Sequence, residues 1–584
     1  MIPSQHRPLT SLRPTLQNHH SAAAVRIPFG ARGFLLASVI LASFISVLVS
    51  WSFHHAQSTI TSSSTTGQRK EKRLVLGIPT TTTTKTGTTL FDFRPNINMT
   101  DEEDDSVVFH FIVSSECSSY QLWETLTSFH AAEAVHQCGR FTWIISGCLP
   151  NDQLHQGVGK SGANSDLLTP QVIQQHVDRH FPPHVEIPAD CSRLLPALHF
   201  TPDYSDMSVY GGPYADGKTT RYFVKKDGSK QRSTFGNRYV FNNKPNGLLH
   251  WAEANNDDSI DDVIVLIDPD FLFLTKFHLA RPDVTVVGRK DAIRYDRDVV
   301  FPGQPAAASY GLGAQWLDFD LVKICGPDSH CANTTRSDVH NHFSAGPPYI
   351  IHRKDVLPLA KKWASLVPGT YDEYPLLYAE MYAYSMAAAH LQLKHNLVNN
   401  LFTGCMVGWP NPDRWSKNGD KSMEAIERAA VRESADSYRT SLGRDLAVVV
   451  AVQEKGGDNI VGERFDELYK SGPGSCFQGS LYPPPMLHYC QRYFIKATRE
   501  MRDSHANVTY RFFAKRRMDH KAVLTCDNDE DTGDSKNSIR GLFVPFASEK
   551  EYEKMAGGNV DWNTLAVCAI TRALNFAKLT GCSM

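Results

Sequence analysis

The stretch that most restricts how this chain can fold is Val263-Ile264-Val265-Leu266-Ile267-Asp268-Pro269-Asp270-Phe271-Leu272-Phe273-Leu274. Five consecutive aliphatic residues, four of them β-branched isoleucine or valine, have the length and composition of a buried strand. Two charges cannot stay inside such a strand, so the aspartates fall at its C-terminal end. In an open α/β sheet that end is where ligands bind. Two carboxylates one residue apart can hold a hard divalent cation, and the cation can hold a diphosphate. A solvated strand-to-loop turn is the plainer use of the same residues. Pro269 between them has no N–H and a fixed φ, which stiffens the turn.

The surrounding chain supplies the rest of an α/β pattern. Residues 107–113 read as a strand, and 120–135 carry Leu122, Leu126 and Phe129 at helical spacing. Phe141 to Ser146 is a second strand, so the domain opens with a parallel βαβ unit. Ser114 and Glu116 fall at the tip of the first strand, where a nucleotide binds in such sheets; capping groups for the next helix are the other reading. Residues 149–235 read as irregular. Asn243 to Gly247 leads into a short helical stretch at Leu248 to Trp251. Lys244 precedes the aspartates by some two dozen residues, and reads either as a point cation for a diphosphate or as an ordinary exposed lysine.

Further on, 284–288 reads as a strand and the Pro-, Ala- and Gly-rich 301–313 as a loop. A Gly-Pro turn enters a strand at 343–352, and helices cover 355–364 and 378–391. Glu380 sits there among aromatics and alanines. A carboxylate in that setting is costly unless paired or functional; a helix-surface position is the alternative. Residues 411–475 are polar and read as an insertion, with one strand-like run at 446–452. His488, framed by Met486, Leu487 and Tyr489, is a core histidine or the imidazole that completes a Mn²⁺ site. Lys515, Arg516 and Arg517 are basic groups able to meet phosphates. Residues 563–579 form a last helix with Leu565, Cys568, Ala569, Leu574 and Ala577 on one face.

Residues 34–53 carry no charge and match the roughly 20 residues that cross a bilayer. Arg7, Arg13, Arg26 and Arg32 precede them with no acid, which keeps the N-terminus cytosolic. The expectation is a 1–33 cytoplasmic tail, a 34–53 signal-anchor, a 54–105 Ser/Thr-rich stem and a 106–584 lumenal domain, as in a type II protein. A cleaved signal peptide is the alternative, but the apolar run exceeds the usual signal core. All 12 cysteines lie between Cys117 and Cys582, on the side where disulfides form. Cys325 and Cys331 are close enough for a small bridge, and no spacing gives a zinc-knuckle pattern. Asn98, Asn333 and Asn507 begin glycosylation sequons. The formal net charge is −2, with no basic field, which argues against nucleic acid as a partner.

Several ordered blocks together resemble the plant and algal family of peptidyl serine α-galactosyltransferases and hydroxyproline O-arabinosyltransferases. They are HFIVSSECSSYQLWETLTSFHAA (110–132), NKPNGLLHW (243–251), VIVLIDPDFLFL (263–274), GPPYIIHRKDVLPLAKKW (346–363), AEMYAYSMAAA (379–389), MLHYCQRY (486–493) and NTLAVCAITRALNFAKLTGC (563–582). The resemblance implies a GT-A-like mixed α/β sheet, with a Rossmann-like nucleotide-binding half, behind a single N-terminal transmembrane helix. It implies a UDP-sugar donor, Mn²⁺ or Mg²⁺, and a Golgi or endoplasmic-reticulum membrane location through residues 34–53. The sugar, galactose or arabinose, would pass to a serine or hydroxyproline hydroxyl of a Ser/Hyp-rich secreted glycoprotein, with retention of configuration. Carried over, Asp268, Asp270 and His488 would hold the metal, with Asp270 and Glu380 as the catalytic residues. Ser114 and Glu116 would lie near the uridine, Lys244 near the diphosphate or sugar, and Gly346, Pro347 and Tyr349 would shape the donor pocket. Transfer to a glycan acceptor, or an inactive membrane-anchored glycan-binding protein of the same fold, are the rival expectations.

Overall fold

In the computed structural model the described residues are 109–149, 168–183, 191–211, 220–255, 263–281, 284–287, 297–404, 483–489 and 560–582, the strands 492–496, 510–514 and 544–545, and a few single residues between them. Strand β1 (Phe109–Glu116), helix α1 (Ser119–Ala134) and strand β2 (Arg140–Ser146) form the expected parallel unit, with His110 opposite Arg140 and Glu116 opposite Ser146. The Ser118 hydroxyl caps α1 by accepting the Gln121 N–H. The Cys117–Cys148 disulfide ties the two strand tips together.

Helix α2 (Pro170–His180) and strand β3 (Ala197–Thr201) follow, and β3 extends the parallel pairing beside β2. Helix α3 (Asn243–Ala254) leads to strand β4 (Val263–Ile267), which lies parallel to β1 on its other side. Next come β5 (Phe271–Phe273), β6 (Ala306–Ser309) and β7 (Ala345–His352). After helices α4 (Arg353–Glu373) and α5 (Ala379–His390) come β8 (Asn396–Val398), β9 (Phe402–Gly404), β10 (Met486–His488) and helix α6 (Val560–Cys582).

The main sheet has seven strands in the order β8-β6-β7-β4-β1-β2-β3. It is mixed and mostly parallel: only β7 runs against its neighbours, β4 and β6. The alternation of β4 explains how both faces are filled. Val263, Val265 and Ile267 point to the face covered by α1 and α6, and Ile264 and Leu266 to the face covered by α3, α4 and α5. A second sheet, β9-β10-β5, stands at the end of β4.

Several sequence expectations are corrected. Residues 149–235 are not simply irregular, since α2 and β3 lie within them, along with a hairpin of Tyr222–Val224 and Lys230–Arg232. Residues 301–313 are not all loop, because Ala306 to Ser309 form a strand inside the main sheet. Their small side chains are nearly all buried between β7 and β8, so neighbours rather than propensity set the conformation. Residues 284–287 contribute only an isolated bridge, Val286 to Val398, instead of a strand. Helix α4 runs to Glu373 despite Pro358 and Pro368 inside it.

The membrane-spanning helix expected in front of the domain is also withdrawn. Among the described residues no helix is long and apolar enough to cross a membrane. The 23-residue α6 has the length but carries Asp561, Arg572 and Lys578, and it buries Leu565, Cys568 and Ala569 in the core. Residues 34–53, the stem to 105, Asn98, Asn507, the run 446–452 and nearly all of 411–475 lie outside the described residues. Cys325 and Cys331 are bonded as expected, and Cys138–Cys191 and Cys476–Cys568 are further bridges.

Candidate metal centre

Asp268 and Asp270 occupy the turn between β4 and β5, at the carboxyl edge of the parallel strands. The turn is closed by the Phe271 N–H donating to the Asp268 carbonyl at 3.3 Å. β5 then pairs antiparallel with β10, which sets His488 opposite Phe271. The Tyr489 N–H donates to the Asp270 carbonyl at 3.0 Å and locks that register. One carboxylate oxygen each from Asp268 and Asp270 and one ring nitrogen of His488 lie within 4.8 Å of one another. His488 Nε2 is 3.3 Å from Asp270 Oδ1. The donor set is two hard carboxylates and one borderline imidazole, all half-buried, and it fits Mn²⁺ better than Mg²⁺.

His488 is held on three sides, twice through its ring and once through its backbone. Its ring stacks on Phe271 at 4.6 Å between centroids with a 3° interplanar angle. Its Nδ1 lies 3.4 Å from the Tyr310 hydroxyl. On the far side, β9 pairs with β10 so that Gly404 faces His488, and a Cβ on Gly404 would come within 2.6 Å of the His488 carbonyl oxygen. Glycine is therefore needed there for the strands to close. A hydrogen-bonding partner on the second nitrogen is the usual way a ligating histidine is oriented.

Lys244, in the first turn of α3, reaches between two carboxylates. Its Nζ is 2.7 Å from Asp268 Oδ1 and 2.9 Å from Glu380 Oε1. Burial alone would lower the Lys244 ammonium, but the two carboxylates override it and hold it above the usual lysine value. Glu380 is only 2% exposed. Burial pushes its carboxyl above the usual range, Lys244 pulls it down and Asp268 pushes it up. The Glu380 backbone is anchored as well: its N–H donates to the Tyr239 hydroxyl, and its carbonyl accepts from the Trp363 indole.

The sequence-selected residues divide into two sets. Asp268, Asp270, His488, Lys244 and Glu380 come together in one cluster. Ser114 lies one step past the last pairing of β1 with β4, Val113 opposite Ile267, so it sits beside Asp268 along the same edge, but buried in the strand. The Glu116 N–H donates to Gln121 Oε1 at the start of α1. Gly346 serves a packing need, because a Cβ there would overlap the Tyr310 ring. Pro347 and Pro348 are passed over in a register shift, where Ala307 faces Tyr349 and Ala308 faces Gly346. Tyr349 is fully buried and packs against Tyr384 with centroids 4.0 Å apart and the rings tilted by 30°. Its hydroxyl has no hydrogen-bond partner among the described residues. Burial, then Glu380, raises that hydroxyl well above its ordinary value.

Tyr310 is the residue that sequence reasoning missed. Its hydroxyl lies 3.4 Å from His488 Nδ1, and burial, followed by Asp268 and Asp270, raises that hydroxyl above the ordinary tyrosine value. It lay in a segment read as loop, and no spacing pointed to it. No family model matches the chain, and no curated protein matches it significantly.

Proposed function

We propose that the chain is a metal-dependent glycosyltransferase that moves a sugar from a UDP-sugar to a serine or hydroxyproline hydroxyl of a secreted glycoprotein. The observation that carries this reading is the Asp268, Asp270 and His488 cluster at the carboxyl edge of a mostly parallel sheet. Asp268, Asp270 and His488 would hold Mn²⁺ or Mg²⁺, and the cation, when bound, offsets charge on a departing diphosphate. Lys244 orients Asp268 and adds positive charge at the same edge. Glu380, tied to Lys244 and buried, works through that lysine more readily than as an open base. In a retaining transfer the leaving phosphate itself can take the acceptor proton. Galactose and arabinose remain the proposed sugars, on the resemblance alone. The four disulfides among the described residues suit an oxidising compartment, and the Golgi lumen is the proposed location.

The test is UDP release by the full-length chain, with Mn²⁺ and a panel of UDP-sugars, with and without Ser/Hyp-rich peptides. Release from one donor, stimulated by peptide and abolished by EDTA, is expected. Silence across the panel from a folded protein that binds Mn²⁺ would overturn the transferase reading in favour of a glycan-binding protein.

A further inference from the structure

A cavity of about 410 Å³ opens at the amino ends of β1, β2 and β3, the sheet edge opposite Asp268 and Asp270. Arg140, Arg193, His110 and His199 line it, and no aspartate or glutamate is among its described lining residues. Arg193 Nη1 is buried without a hydrogen-bond acceptor among the described residues. Its ion-pair partner, Glu133 Oε1, stands off at 4.0 Å and already accepts the Leu194 N–H. A third guanidinium, that of Arg353, lies 4.6 Å over the Trp251 ring that forms part of the wall. The histidines are already engaged: His110 Nε2 shares a hydrogen bond with Thr142 Oγ1 at 2.8 Å, and His199 Nε2 with His250 Nδ1 at 2.8 Å. Burial, and then Arg140 and Arg353, press His110 down to about 3, so it is neutral at physiological pH. The remaining wall mixes apolar Phe141, Leu194 and Leu195 with the carboxamides of Gln137 and Asn255.

We infer that this cavity binds a small organic oxyanion, a carboxylate or phosphate ester on a body the size of a monosaccharide. Guanidinium groups match the planar or tetrahedral oxygens of such ions, and Arg193, with its side chain 28% exposed and its carboxylate partner standing off at 4.0 Å, can give a charge-assisted hydrogen bond to one that enters. The volume and the mixture of apolar and carboxamide side chains suit a hydroxylated body that carries the anion. This site is separate from the proposed transferase centre and does not depend on it. The two share helix α3, which carries Lys244 in its first turn and Trp251 near its last, about 10 Å further along.

Isothermal titration of the full chain in EDTA would test the inference, with glucuronate, glucose 6-phosphate and inorganic phosphate as probes and glucose as the neutral control. Glucuronate or glucose 6-phosphate is expected to bind, and glucose is not. Arg193→Gln should weaken binding about tenfold or more. Leu195→Glu should do the same; Leu195 is 44% exposed, so this change sets a carboxylate at the rim without disturbing the core. Asp270→Asn should leave binding unchanged. Preference for glucuronate or for glucose 6-phosphate identifies the oxyanion as carboxylate or phosphate. The inference fails if neither acid binds at millimolar concentration, if glucose binds equally, or if binding survives both Arg193→Gln and Leu195→Glu. Inorganic phosphate binding as tightly as the sugar acids would overturn the organic body.

Discussion

At the carboxyl edge of the main sheet, three carboxylates gather around one lysine and one histidine. At the amino edge, guanidiniums and histidines line a cavity without a carboxylate among its described lining residues. The first edge has three carboxylates for one lysine, an excess of negative charge that a divalent cation would offset. Asp268, Glu380 and Lys244 are fixed against one another, and His488 is held by Phe271 and Tyr310. The second edge leaves a buried guanidinium nitrogen without an acceptor among the described residues. A preorganised centre is what catalysis or tight metal binding requires, and an incompletely matched one is what a ligand completes.

The comparison can be broken most forcefully at Lys244. Lys244→Met would leave buried Glu380 beside half-buried Asp268 with no cation between them, and should lower stability near pH 7 by about 3 kcal/mol in urea unfolding. The loss should shrink as pH falls. A carboxyl whose folded-state pKa is raised favours the folded state once protonated, so stability returns as pH drops through that raised value. A pH-independent loss would mean that Glu380 is not the burdened group.

Asp268→Asn and Asp270→Asn should leave the fold intact and reduce UDP-sugar turnover roughly a hundredfold or more, because each removes a carboxylate from the cation site. Turnover near wild type in both variants would remove the metal assignment. The amino edge should respond to acid in the opposite sense to the Lys244 variant. His110 has a folded-state value near 3, below its unfolded value, so stability should fall as pH drops from about 6.5 towards 3. His110→Gln should flatten that slope by up to about 1.4 kcal/mol per pH unit, seen in urea titrations at several pH values. The smallest effect is expected at His488. His488→Ala should weaken Mn²⁺ binding about tenfold, with turnover partly recovered at high Mn²⁺. An unchanged Mn²⁺ titration would take His488 out of the centre.

The carboxyl edge was legible because its signals are local. A fully apolar strand that ends in two aspartates has few places to go, and β4 lies where that logic puts it. Lys244, Glu380 and His488 were legible as residues of unusual chemistry, but their meeting depends on α3, α5 and β10 packing on one strand end. Tyr310 was not legible, because the alanines before it form a strand only through the neighbours that flank them. The strand β3 was hidden for a related reason: it lies within a long stretch that gave no periodic signal. The amino-edge cavity left no motif, since its lining comes from three strands, a helix and the segment around Arg193.

Strands β9 and β10 lie side by side, with Gly404 paired to His488, although 405–485 separate them in the chain. Cys476, ten residues before β10, is bonded to Cys568 on α6. The departure and return points of that segment are thus fixed in space independently of what runs between them. Because closure entropy rises only by about 0.6 kcal/mol for each doubling of a loop, joining these two points over so long a separation costs little more entropy than joining them over half of it. The pairing of β10 with both β9 and β5 is what keeps the histidine in register with the two aspartates.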